Sequence, residues 1–304
     1  MSKKYNSVAM VFLKTLIFTT VLLGGTVFIL SFLLEKSEEK YAENIVTEIR
    51  KTEKNPDNSL NMTTLMILGE NGEKSGTTFI IARFLSAEER IYLIPIPSDM
   101  VCQSGTEKLT IFEFFRRYGC KKALKAISET MNIQIEKYVF LDNTGFATAI
   151  DYIAGEVEYD ISYPIEYYND MLSEYVFIEN GKNSLSGNEI RQYISYPSFS
   201  EKFRSEQMAF IIAKAIESKN GDIYGFSENS GLLKDFMEHN FSYEEFKSRA
   251  ECIKDIKAEK EDFTSVILPK GKWEEEKFYP SVEFKNYLAE KLDMRKLAEI
   301  SDGY

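Results

Sequence analysis

A single histidine, His239, limits the side-chain chemistry open to this 304-residue chain. A histidine zinc site, a binuclear His cluster or a Ser-His-Asp triad would each have to pass through that one imidazole. It sits in KDFMEHNF and reads as a surface helix residue. Cys102, Cys120 and Cys252 form an odd set. One pair could bridge, Cys102 and Cys120 being nearest in sequence, or all could be buried free thiols. Chemistry is left to carboxylates, arginines and backbone groups. Asp plus Glu total 48 against 37 Lys plus Arg, a formal charge of −11. That balance excludes a general nucleic-acid binder, which needs a basic surface to displace counterions.

The elements that must position such groups begin with an apolar run. Lys3, Lys4 and Lys14 precede Thr15 to Leu34, which carries no charge, and the first acid is Glu35. A helix of that length, at about 1.5 Å per residue, crosses a bilayer core of roughly 30 Å. No A-x-A pattern follows it, so a retained anchor is expected rather than a cleaved signal peptide. The lysines place residues 1–14 in the cytoplasm and the rest outside the cell membrane. Residues 35–60 read as a juxtamembrane helix, with Tyr41, Ile45 and Ile49 on one face, followed by a linker at NPDNS.

Beyond residue 60, short strands and helices alternate. LMIL (65–68), FIIARF (79–84), IYLIPIP (91–97), KYVFLD (137–142) and EVEYDI (156–161) predict strands. Residues 111–132 predict two helices split near Gly119. TGFATAIDYIAG (144–155) predicts a helix closed by Gly155, and SGNEIRQYI (186–194) one capped by Ser186. Helices are also expected at 205–218, in LLKDFMEHNF and YEEFKSRAECIKDIKAEK, and at 282–292. The pattern predicts an α/β domain over 61–292, a central mixed sheet flanked by helices, with a tail at 293–304.

The order of blocks resembles the LytR-CpsA-Psr family of bacterial envelope proteins. The strand ending in Leu-Gly is matched by Met66-Ile67-Leu68-Gly69, and the Ser-Ile-Pro-Arg-Asp-like turn by Pro95-Ile96-Pro97-Ser98-Asp99. The strand–Gly-Phe–helix unit is matched from Tyr138 to Asp142 with Gly145-Phe146, running to Gly155-Glu156-Val157. Leu185-Ser186-Gly187, Phe203 to Met208 and Leu268-Pro269-Lys270-Gly271 match the later blocks. The resemblance spans roughly 61–290.

The resemblance implies a Gram-positive cell-wall role: transfer of a glycopolymer from a polyprenyl-pyrophosphate carrier to peptidoglycan. It also implies arginine forks on the pyrophosphate, a carboxylate-held Mg²⁺ and an apolar slot for the prenyl tail. On that reading Asp99 is the candidate metal ligand and catalytic carboxylate, Arg204 a catalytic arginine, and Arg83, Arg191 and Gln207 binding residues. Asp99 could equally be a turn residue that accepts backbone hydrogen bonds. Phe112, Phe114 and Phe115 could line the lipid slot or serve as core. The departures are specific. The family's turn Arg is Ser98, its acid near the second strand falls at Thr77, and its two helix arginines fall at Phe203 and Glu206. Arg204 is offset by one residue, about 100° around a helix. Two readings follow: a divergent transferase whose Asp99, Arg83, Arg191 and Arg204 converge on one cleft, or a non-catalytic envelope protein that binds a lipid, glycan or protein partner.

Overall fold

Apolar residues on both faces draw the first strands together. The computed structural model describes residues 61–69, 74, 77–169, 173–218 and 237–294. Strands β1 (Met62–Leu68), β2 (Thr78–Leu85) and β3 (Arg90–Ile96) form an antiparallel meander, with Leu65 opposite Ile81 and Ile81 opposite Ile94. A hairpin of β4 (Val101–Ser104) and β5 (Glu107–Thr110) leads into helix α1 (Ile111–Met131). The capping box of Thr110 and Glu113 starts α1, and Gly119, at φ 75°, kinks it where the sequence pattern predicts a split.

Strand β6 (Lys137–Leu141) lies parallel to β1. Asp142 caps helix α2 (Asn143–Ala154), which ends at Gly155. Two ribbons follow: β7 (Val157–Ile161) later pairs with β10 (Gly181–Leu185), and β8 (Ile165–Asn169) pairs with β9 (Glu174–Ile178). Helices α3 (Gly187–Ile194) and α4 (Glu201–Glu217) are capped by Ser186 and Ser200. Strand β11 (Met237–His239) pairs with β6, helix α5 (Tyr243–Glu259) starts from a Ser242–Glu245 capping box, and β12 (Thr264–Val266) pairs with β3. A hairpin of β13 (Gly271–Glu274) and β14 (Lys277–Pro280) precedes helix α6 (Val282–Lys291).

The result is a six-stranded mixed sheet, in the order β11-β6-β1-β2-β3-β12. Strand parity divides the apolar side chains into two cores. Leu65, Ile67, Phe79, Ile81, Ile94 and Ile96 pack with α1 and α6 on one face. Leu68, Ile80, Phe84, Ile91, Leu93 and Leu141 pack with α2, α3, α4 and α5 on the other. All three cysteines are free, and burial pushes the Cys102 thiol up to about 12.

Several sequence-based assignments change. Residues 237–239, expected within a helix, form an edge strand, because β6 offers them an unpaired hydrogen-bonding edge. His239 is therefore a strand residue. Helix α4 starts at Glu201, four residues before the expected position. The hairpins β4–β5 and β13–β14 are too short to stand out as strands in the sequence, and β8–β9 exposes its aromatic residues Tyr168, Tyr175 and Phe177. Asp293 and Met294 belong to the fold, Met294 being buried in the α1–α6 core. The expected anchor at 15–34 and the helix at 35–52 lie outside the described residues. Among the described residues, no helix is long and apolar enough to cross a membrane.

Gly187 opens α3 directly against α2: a Cβ there would sit 2.2 Å from the Ala147 carbonyl oxygen. Backbone cannot yield as a flexible side chain can. Gly187→Ala is expected to destabilise the fold by about 2 kcal/mol or more, read as a lowered Tm by circular dichroism.

Candidate functional site

The α2–α5 face of the sheet is not fully filled. Between it and the helices lies a cavity of about 670 Å³. Its floor is the even-numbered parity of β1 (Met62, Thr64, Met66, Leu68), with Ala82 and Phe84 from β2, Ile91 and Leu93 from β3, and Val139 and Leu141 from β6. Phe146, Ile150 and Ile153 of α2 and Ile212 and Ile216 of α4 form its walls, and Phe246, Ala250 and Ile253 of α5 cover it. The volume falls among typical ligand sites of roughly 300–1,000 Å³, and the wall is almost wholly apolar. Among the described residues the few polar groups on it are Thr64, His239, Ser242, Tyr243 and Arg249.

The residues singled out from the sequence lie elsewhere. β1, β3 and β6 run in one direction, and Ser98 and Asp99 follow the C-terminal end of β3. There the Ser98 hydroxyl donates to the carboxylate of Glu201 in the first turn of α4. Glu201 also pairs with Arg204, Nε to Oε1 at 3.5 Å. Ser98, Asp99, Glu201 and Arg204 thus meet at one edge of the sheet, but Arg204 is 1% exposed and its guanidinium is turned inward. It donates to the carbonyls of Ile194, Tyr196 and Phe199, the last at 3.2 Å. Burial lowers its pKa, opposed by Glu201. Asp99 forms an ion pair with Lys74 at 2.6 Å, and its backbone carbonyl accepts from Phe278 N–H.

Arg83 does not share that edge, nor does it face the cavity. The parity of β2 puts it on the α1–α6 face. There it donates to the carbonyls of Leu292 (3.1 Å) and Asp293 (2.8 Å) and to the Thr63 hydroxyl, capping the C-terminus of α6. Arg191 lies on α3 near Tyr167, with a buried Nε that has no hydrogen-bond partner. Gln207 accepts from the hydroxyls of Tyr159 (2.6 Å) and Tyr193 (3.3 Å). Burial raises both tyrosines, Tyr159 to about 12. Around them Tyr163, Tyr167, Tyr193, Tyr196, Phe199 and Phe203 pack edge-on or tilted, the Phe199 and Phe203 rings 4.7 Å apart. This is a packed aromatic plug, not an open cationic cleft. Phe112, Phe114 and Phe115 lie in the α1–α6 core and do not line the cavity.

The donor set does not fit a Mg²⁺ ion. Asp99 is matched by an ammonium group, and among the described residues no three His, Cys, Asp or Glu groups stand close enough together to hold a metal.

The groups that cover the cavity were missed as site residues. The i, i+4, i+7 spacing of Phe246, Ala250 and Ile253 was the available signal. α5 is fastened at its start. The Glu245 carboxylate accepts from Ser242 N–H at 2.8 Å and from Lys137 Nζ at 2.7 and 2.8 Å. The Lys137 and Ser242 contacts hold its carboxyl down at about 2, against an ordinary 4.5. A group depressed on folding adds stability above its unfolded pKa and loses it as pH falls through its folded pKa. Amide exchange over 243–259 is therefore expected to quicken as pH drops from about 4.5 toward 2, beyond the intrinsic pH effect. Glu245→Gln should flatten that dependence, and an unchanged profile would detach α5 from this contact.

Comparison with known proteins agrees with this architecture. Several solved structures share the fold. Among them are a putative transcription regulator from Eubacterium siraeum (TM-score 0.67, 17% identity, 78% of this chain and 93% of that one), TagV from B. subtilis (0.62, 16%, 77% and 96%) and TagT bound to LIIa-WTA (0.59, 14%, 77% and 89%). No curated protein matches the chain in sequence. The LytR_cpsA_psr family model matches residues 29–200, more than half of the chain. With the same sheet, helices and turn blocks in place, the chain belongs to the LytR-CpsA-Psr family.

Proposed function

We propose that this chain is a membrane-tethered, extracytoplasmic binding member of its family, which holds the lipid carrier of an envelope glycan without transferring a glycan to peptidoglycan. The observation that carries this reading is the 670 Å³ apolar cavity, beside which no cationic cluster stands among the described residues. A prenyl or alkyl chain has no polar group to satisfy, so a dry wall of Met, Ile, Leu and Phe suits it. Each Å² of apolar surface removed from water contributes about 25 cal/mol. TagT bound to LIIa-WTA, a structural relative, supports a glycopolymer-related partner. The charge-free run at 15–34 would keep the cavity close to a membrane that supplies such lipids.

Transfer makes a different demand. Charge building on a leaving pyrophosphate must meet donors that are already aimed at it. Here Arg204 and Arg83 have their donors on backbone carbonyls, Asp99 has Lys74, and Glu201 places a carboxylate at the same edge. Turning Arg204 outward would take its donors from the carbonyls of Ile194 and Phe199, whose bonds to it are buried. The transferase reading keeps one observation in its favour, the unpartnered Nε of Arg191 beside the aromatic plug.

One experiment separates the two. The full chain in nanodiscs is titrated with polyprenyl pyrophosphate, with and without Mg²⁺, and again as Asp99→Ala. The expected result is saturable binding that neither Mg²⁺ nor Asp99→Ala changes by more than about twofold, with no glycan passed to peptidoglycan when the pyrophosphate carries one. Ala149→Trp, which fills the cavity, should abolish binding in a protein that still melts cooperatively. Mg²⁺-dependent binding lost in Asp99→Ala, accompanied by transfer, would establish the transferase instead.

A further inference from the structure

The cavity has two unlike ends. Toward the C-terminal ends of the strands the described residues on its wall are Leu68, Leu141 and Phe146, all apolar. Toward the N-terminal ends it meets Thr64 of β1 and Arg249 of α5. Both carry polar atoms with less than 1 Å² exposed and no hydrogen-bond partner: Thr64 Oγ1 and Arg249 Nε. Thr64 is 94% buried, being 6% exposed. Other buried orphans, such as Thr78 Oγ1 and Arg204 Nε, do not line the cavity; these two share its wall, where a ligand atom would partner them.

The surroundings define its charge. Arg249 Nη1 donates to the Glu245 carbonyl at 2.9 Å, one turn back on its own helix. The nearby carboxylates have other partners: Glu136 takes Thr63 N–H at 2.8 Å, and Glu245 takes Lys137 and Ser242. Burial lowers the Arg249 pKa while those two acids oppose it. A guanidinium remains charged even so. Its free edge therefore suits an anion.

We propose that the cavity takes a long-chain amphiphile with a single anionic head, a phosphate monoester or a carboxylate, the head being held by Arg249 and the Thr64 hydroxyl. The chain then lies toward the C-terminal ends of the strands. β1 spans about 20 Å at roughly 3.3 Å per residue, so this head site is well separated from the Ser98–Asp99 edge. One guanidinium and one hydroxyl match a single phosphate or carboxylate better than a pyrophosphate. The assignment rests on the cavity being the lipid site.

The test uses the full chain in phosphatidylcholine nanodiscs, with empty nanodiscs as background. Four probes are titrated: a prenyl monophosphate, the matching prenol, a long-chain fatty acid and the matching fatty alcohol. At least one of the two anions should bind tenfold or more tighter than its alcohol, and the better anion tells phosphate from carboxylate. Arg249→Met should cost that anion tenfold or more and leave the alcohols unchanged. Thr64→Val should cost it about threefold, and Arg249→Lys should recover part of the loss. Thermal melts check each variant, and if Arg249→Met unfolds, Thr64→Val and Arg249→Lys decide. Alcohols that bind as tightly as anions, or a preference that survives these variants, would overturn the head site while leaving the lipid cavity standing. Failure of all four probes would overturn both.

Discussion

The pleat of β1 and β2 sends successive side chains to opposite faces of the sheet, and nearly every later feature depends on that alternation. Leu65 and Ile67 go to the α1–α6 core, whereas Thr64, Met66 and Leu68 go to the cavity floor. A register slip of one residue would exchange the two sets. The cross-strand pairs of Leu65 with Ile81 and of Thr63 with Arg83 hold the register. Parity also decides the fate of Arg83. Its charge is delivered to the end of α6, where the last carbonyls of that helix need donors. A cation placed there serves packing and cannot serve a ligand on the other face.

Arg204 makes the same point by a different route. A fully buried guanidinium persists only when its hydrogen bonds are made, since desolvating a charge costs several kcal/mol. Three carbonyls from the α3–α4 connection take hydrogen bonds from its Nη groups, and the Glu201 carboxylate offsets the charge beside an Nε that has no hydrogen-bond partner. The arginine thereby fixes the turn that carries Tyr196 and Phe199, and so the aromatic plug. Chemistry and scaffolding compete for the same donors. At this edge scaffolding has taken them, and Lys74 has taken Asp99. The cavity next to it escapes the competition because its wall has almost no donors to give.

Much of the architecture was legible in the sequence. The strand runs at 65–68, 79–84, 91–97 and 137–142 carry apolar residues on both faces, as strands covered on both sides must. Ser or Thr followed three residues later by Glu marks the starts of α1, α3 and α5. Short ribbons such as β8–β9 were not legible, since Tyr168, Tyr175 and Phe177 are exposed and give no core pattern. The site was less legible still. Sequence can propose Arg83, Arg191, Arg204 and Asp99 as one set, but their separation is set by strand parity and by a one-residue offset on a helix. The cavity draws on β1, β2, β3, β6, α2, α4 and α5, and no local window contains it. Arg249 offered no signal, because an arginine between Phe246 and Ile253 reads as the solvated side of an amphipathic helix.

A dry cavity and a stable fold make opposing demands on α5. The helix must bury enough apolar surface to stay docked, yet it must not collapse onto the sheet. Only Ala250 and Ile256 of its seventeen residues are fully buried, so apolar packing alone holds it weakly. The Lys137–Glu245–Ser242 contacts fasten its first turn at the N-terminal end of β6. That arrangement lets the helix stand off the floor along its length. It also explains why the orphaned groups cluster at this end. Arg249 lies one turn beyond Glu245, where the fastening keeps the helix close enough to shield its Nε from water but provides no partner for that atom. Polarity at that end follows from how α5 is anchored, and the ligand chemistry the cavity can accept follows from that polarity.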